Sequence, residues 1–161
     1  MHTLKKQITV QAPINEVFNF FQRPENLDLL TPPWLEFNIM TPQPLAMHPG
    51  AVFDYSIKNH GIPMRWTGII ADYDPPHRFV DLQLRGPYAF WHHQHLFEET
   101  QDGTQITDLV HYQLPLGPLG KFAHRLFVHR DLEKIFNYRC EKMNTRFRPE
   151  SKTPTNDVRA A

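Results

Sequence analysis

The segment GPYAFWHHQHLFEE, residues 86–99, places three of the chain's ten histidines within four positions. Imidazoles spaced this way can ligate a metal, move protons, or serve as the few polar groups of an apolar pocket. The direction of each ring decides among these, and successive side chains of a strand face opposite ways. In a strand starting at Ala89, one face carries Ala89, Trp91, His93, His95 and Phe97. The other carries Phe90, His92, Gln94, Leu96 and Glu98.

Two turns predict the partners. Asp102-Gly103 is a strong hairpin signal, and Gln101 opposite Thr104 sets Phe97 against Asp108, His95 against Val110 and His93 against Tyr112. On the other side, a turn at Gly86-Pro87 with Arg85 opposite Tyr88 sets Leu84 against Ala89, Leu82 against Trp91 and Val80 against His93. Asp81 and Gln83 then share the face of His92. Both registers collect Val80, Leu82, Leu84, Trp91, Phe97, Ile106, Val110 and Tyr112 on one side, with His93, His95 and Asp108 among them. His92 is expected to face water.

Four readings of this wall follow. His93 and His95 form a His-x-His pair to which Asp108 adds a third metal ligand, while His111 has the wrong parity to join. Alternatively, His93 or His95 is a general base oriented by Asp108, although no nucleophile or oxyanion hole accompanies it. A third reading has the three polar groups satisfy one another and do nothing else. In the fourth, which we take forward, Trp91, Phe97, Val110, Tyr112 and Leu82 supply apolar contact to a ligand. His93, His95 and Asp108 then orient its polar end.

The elements that position these residues follow from the rest of the chain. Its 161 residues, 40% hydrophobic and 12% aromatic, suffice for one domain with a real core. Residues 1–148 are read as that domain and 149–161, PESKTPTNDVRAA, as a disordered tail. Strands are predicted over 4–10, 51–58, 63–73, 78–85, 89–99 and 105–114, with a loop running into a further short strand over 34–40. INEVFNFF and PENLDLL read as short helices entered at Pro13 and Pro24. A long helix is predicted from about Leu119 to Phe147, with Phe122, Leu126, Val128, Leu132, Ile135, Phe136 and Met143 apolar. Arg125, Arg130, Lys134, Arg139 and Lys142 are assigned to its solvated face. Short separators such as NHGI, DPPH and QDG make the sheet antiparallel. The fold class is therefore α+β, a curved antiparallel sheet of six to seven strands wrapped around a long C-terminal helix.

Charge narrows the partners. Seventeen basic and seventeen acidic residues cancel, which argues against nucleic acid. Cys140 is the only cysteine, so a cytoplasmic setting is expected, with the thiol a small hydrophobe and not a nucleophile. MHTLKKQITV lacks the apolar core of a signal peptide, and no membrane span and no cofactor are predicted. Tyr55 and Trp66 are candidate pocket residues of ambiguous parity, and Pro32-Pro33-Trp34-Leu35 is a lid or a mere capping loop.

The runs TVQAPINEVFNFFQRPENLDLLTPPWLEF, DPPHRFVDLQLRGPYAFWHHQHLFEE and DGTQITDLVHYQLPLGPLG resemble the START-like, or SRPBCC, superfamily. Within it they resemble a bacterial ligand-binding subgroup of unassigned function. The likeness spans residues 3–147. It implies the helix-grip fold of polyketide cyclases, lipid-transfer domains and birch-pollen-type allergens. It also implies a cavity between sheet and helix for a small hydrophobic molecule such as a lipid, isoprenoid or polyketide-like compound. Since one fold hosts binders and enzymes alike, a cyclase or dehydratase-like activity is the alternative it leaves open.

Overall fold

The computed structural model describes residues 1–115 and 127–148. The expected start of the long helix at Leu119, with Phe122 and Leu126, and the expected disordered tail lie outside the described residues. Strand β1 (His2–Val10) leads into helix α1 (Ile14–Phe21), a 3-10 turn (Pro24–Asn26), helix α2 (Leu27–Leu30) and a second 3-10 turn (Pro33–Leu35). Then come β2 (Asn38–Ile39), β3 (Val52–Asn59), β4 (Ile62–Asp74), β5 (Arg78–Arg85), β6 (Phe90–Thr100), β7 (Gly103–Gln113) and helix α3 (His129–Arg146). The seven strands form one antiparallel sheet in the order β1-β7-β6-β5-β4-β3-β2. This is the α+β helix-grip architecture.

Each element follows from local chemistry. Pro13 caps α1 with extended φ and ψ, and the helical spacing of Ile14, Val17, Phe18 and Phe21 buries one face. Phe18 and Phe21 meet Phe97 of β6 edge-on at 5.3 and 5.0 Å, which seats α1 against one end of the inner sheet face. Helix α3 buries Leu132, Phe136, Arg139 and Met143. Leu132 and Phe136 pack with Leu4, Trp91, Val110 and Tyr112, while Met143 joins Phe18, Phe79 and Phe97 in a second cluster. A Lys6–Glu133 ion pair ties α3 to β1.

Both hairpins differ from the sequence-derived registers, in different ways. The β6–β7 turn closes at Thr100–Gly103, so His95 lies opposite Asp108, His93 opposite Val110 and Phe97 opposite Ile106. Every partner has moved by two positions, which preserves the faces. Gly103 starts the strand, with φ of 127°, instead of sitting inside the turn.

The β5–β6 ladder moves by one position, and that inverts a strand. Asp81 lies opposite His93 and Phe79 opposite His95, whereas Leu82 lies opposite His92. Val80, Leu82 and Leu84 therefore occupy the face predicted for Asp81 and Gln83. The predicted Gly86-Pro87 turn does not form, and Gly86 does not take the positive φ of a two-residue hairpin turn. The Gln83 side chain closes the loop instead, its Nε2 donating to Tyr88 O at 2.7 Å and its Oε1 accepting from Tyr88 N at 3.3 Å.

Gly103 supplies a stability prediction. A Cβ there would lie 2.1 Å from the Val10 carbonyl oxygen, a backbone atom that cannot swing aside. Backbone strain and overpacking together predict that Gly103→Ala loses about 2–4 kcal/mol in urea unfolding. Gly50→Ala, with φ of 83° but nothing within 4 Å of its Cβ, should lose less. Equal losses would show that φ alone matters.

Candidate functional site

The concave face of the sheet, the α2 region and α3 enclose a cavity of about 250 Å³. Trp66, Tyr88 and Trp91 form one aromatic wall, with Trp66 perpendicular to Trp91 at 5.1 Å and Tyr88 at 4.8 Å from Trp91. Phe53, Tyr55, Leu132 and Phe136 extend the apolar lining, and Leu35 contributes from the PPWL loop. Trp34 of that loop is 54% exposed and rests against Tyr138, so it is outside the lining. Tyr55 and Trp66, whose parity the sequence left open, both line the cavity.

A buried polar cluster interrupts this lining, apart from Arg23, Asn26, Thr31 and Asn59 elsewhere around it. His93 and His95 are 5% and 4% exposed, on the same inner face as Trp91. Each ring spans two carboxylates. His93 places Nε2 at 2.9 Å from Asp108 Oδ1 and Nδ1 at 3.4 Å from Asp81 Oδ2. His95 places Nε2 at 2.9 Å from Asp81 Oδ2 and Nδ1 at 3.0 Å from Asp108 Oδ1. Arg139 reaches in from α3, with Nε 3.3 Å from Asp108 Oδ2 and an Nη2 that donates to His95 Nδ1 at 3.2 Å. Its guanidinium also lies 5.1 Å from the Phe21 ring centre. Phe79 stacks on His95 at 4.0 Å, which fixes the ring plane.

Electrostatics follows this arrangement. Burial alone would raise the Asp108 carboxyl, but the Arg139 guanidinium first, and then the close approach of both histidines, hold it well below the usual carboxylate range. Asp81 is likewise held low, its burial outweighed by His93 and by the hydrogen bond from His95. Burial, reinforced by the neighbouring His95, pushes His93 down toward the neutral form against the pull of Asp81 and Asp108. Cys140 is pushed up by burial and then by Asp108, which suits a packing residue better than a thiolate nucleophile.

The predicted residues therefore separate. Trp91, His93 and His95 line the cavity, and Asp108 stands behind the two rings in contact with both. Phe97, Val110 and Tyr112 share the inner face but are buried in the core, outside the lining. Leu82 falls on the opposite face through the one-residue shift of β5, so it does not join the wall. His92 is on the outer face as expected, although it is half-buried against Phe90 and His111 and is not fully solvated.

Sequence reasoning missed two residues. Asp81 was assigned to the wrong face by the Gly86-Pro87 register. Arg139 was assigned to solvent, yet it is 8% exposed. The signal for it was present: residues 132, 136, 139 and 143 follow one helical stripe, and Arg139 is its only charged member.

The family profile described as polyketide cyclase / dehydrase and lipid transport matches residues 10–137. The chain belongs to this family. No curated protein matches the chain. Among solved structures, protein CV1439 from Chromobacterium violaceum is similar at TM-score 0.73 and 12% identity, covering 93% of this chain and 100% of that one. TTHA0849 from Thermus thermophilus is similar at TM-score 0.68 and 14% identity, over 91% of this chain and 97% of that one. Protein Ms6760 from Mycobacterium smegmatis is similar at TM-score 0.65 and 15% identity, over 89% and 88%. At these identities the likeness establishes the fold, the SRPBCC-type helix grip that the family shares. No helix among the described residues is long and apolar enough to cross a membrane.

Proposed function

We propose that this protein binds or carries a small hydrophobic or amphipathic molecule in the cavity between sheet and α3. A lipid, isoprenoid or polyketide-like compound fits the class. The observation that supports this most is the composition of the cavity: a mainly aromatic and aliphatic lining with a buried cluster of polar groups at Asp81, His93, His95 and Arg139, the layout of a pocket that holds a ligand's body by burial and its polar end by hydrogen bonds. Membership of a family described by lipid transport supports the same reading.

Titration of an anilinonaphthalene sulfonate probe in the presence of chelator tests it. The wild-type protein should bind saturably and lose the probe to a competing fatty acid or isoprenoid. A hydrogen-bonded polar anchor is worth about 1–2 kcal/mol, so His95→Ala should weaken binding several-fold to tens-fold. His92→Ala, altered on the outer face, should leave it unchanged. Non-saturable binding, or equal damage from the two substitutions, would overturn the proposal.

The short His93–Asp108 and His95–Asp81 contacts favour a second reading, acid–base chemistry of the cyclase or dehydratase kind. Native mass spectrometry separates the two. A carrier releases the compound it was given, while a dehydrating enzyme returns it one water lighter and a cyclase without water loss returns an isomer of equal mass, which chromatography of the released compound separates.

A further inference from the structure

We propose that Asp81, His93 and His95 form a binding site for a divalent first-row transition-metal ion that opens onto the cavity. The site stands on its own donor atoms and does not require the apolar ligand proposed above.

The three side chains come from facing positions of two paired strands. Asp81 lies directly across from His93, and His95 follows two residues along the same face. Each offers one donor atom such that all three lie within 4.8 Å of one another. The Asp81 Oδ2 separations, 2.9 Å to His95 Nε2 and 3.4 Å to His93 Nδ1, bracket the spacing around a tetrahedral ion, about 3.3 Å for bonds of about 2.0–2.1 Å. Two imidazoles and one carboxylate leave positions free for water or a ligand oxygen. All three residues line the cavity, so those positions face its interior.

The far sides of the rings complete the site. His93 Nε2 and His95 Nδ1, the nitrogens that do not face Asp81, both approach Asp108 Oδ1, at 2.9 and 3.0 Å. A carboxylate behind ligating histidines fixes their tautomers and strengthens them as donors. Asp108 is not a lining residue, and Arg139 holds its other oxygen. Without a metal, His95 can donate from Nε2 to Asp81 and accept the Arg139 Nη2 hydrogen bond at Nδ1. Metal loading moves that proton to Nδ1, where Asp108 accepts it, with no net proton change. Arg139 keeps Asp108 through Nε, a buried atom that otherwise has no hydrogen-bond partner among the described residues.

Charge points the same way. The Asp81 carboxylate faces the cavity beside the two imidazoles, so a cation held there would gain a direct carboxylate contact. A dication on these three donors would attract an enolate, alkoxide or carboxylate oxygen at its open positions. The metal reading of the sequence is thereby changed: Asp81 takes the place assigned to Asp108, and Asp108 becomes a positioning residue.

The test uses the full chain without an affinity tag, stripped with chelator and titrated calorimetrically with Zn²⁺. Co²⁺ absorption serves as a second readout of coordination. One saturable Zn²⁺ site is expected. Asp81→Asn and His95→Gln should weaken it at least about tenfold, and Asp108→Asn by about 10–100-fold. His92→Gln should not change it. Asp81 is 25% exposed, so Asp81→Asn tests the site with little threat to folding, which circular dichroism checks. Absence of saturable binding in the wild type, or an ion lost with His92→Gln but retained with Asp81→Asn, overturns the proposal. The second outcome would place the ion on the outer His92–His111 pair. Because the titration contains metal alone, neither outcome bears on binding of an apolar ligand.

Discussion

Arg139→Met should destabilise the protein by about 3–5 kcal/mol, the loss that follows when one partner of a buried ion pair is removed. Methionine keeps most of the stem and its packing on Phe21, so the change isolates the charge. What remains is Asp108, 4% exposed, without the one Lys or Arg that pairs with it among the described residues and with two imidazoles to share. The carboxylate must then take up a proton or draw one onto a ring. Urea unfolding at neutral pH measures the loss. Asp108→Asn in the same chain should recover part of it, since the stranded charge is removed with the cation. A loss under about 1 kcal/mol would mean that the pair is solvated in solution and worth no more than a surface salt bridge.

Trp91→Ala is expected to damage both stability and binding. The indole is 7% exposed and sits between Trp66, Tyr88, Tyr112 and the His93 ring. Removing a buried aromatic of this size forfeits about 3–5 kcal/mol through lost contact and the void left behind. It should also weaken probe binding more than His95→Ala does, because the indole supplies wall area and not one hydrogen bond. Trp91→Phe separates the effects: it should fold near wild-type stability while retaining part of the affinity. If Trp91→Ala bound the probe as well as the wild type, the ligand would have to occupy another part of the cavity. The aromatic wall would then be core alone.

Several features of this protein were legible one residue at a time. The alternation in AFWHHQHLF placed Trp91, His93, His95 and Phe97 on the inner face, and no tertiary information was needed, because side-chain parity is local to a strand. The same holds for α1, where Pro13 and the spacing of Val17, Phe18 and Phe21 define both start and buried face. It holds for the turn near Asp102-Gly103 as well. Placing it one position late moved every β7 partner by two residues and left each face correct.

Relationships between elements were decided by the tertiary structure. Asp81 changes faces if β5 slips by one residue, and that slip depended on whether Gly86-Pro87 or the Gln83 side chain closed the loop. A competition between a backbone turn and a side-chain hydrogen bond is not encoded in alternation, which reads the same in either register. Arg139 shows a different limit. Its place on the stripe of Leu132, Phe136 and Met143 was readable, but a buried arginine is favourable only where a carboxylate meets it. That carboxylate, Asp108, is 31 positions away in sequence and on another element. The sequence by itself therefore determined the fold class and the direction of the histidines, because both rest on local periodicity. The partners of those histidines, and with them the choice between Asp81 and Asp108 as the residue facing the cavity, came only from the packing of β5, β6, β7 and α3 around one polar cluster.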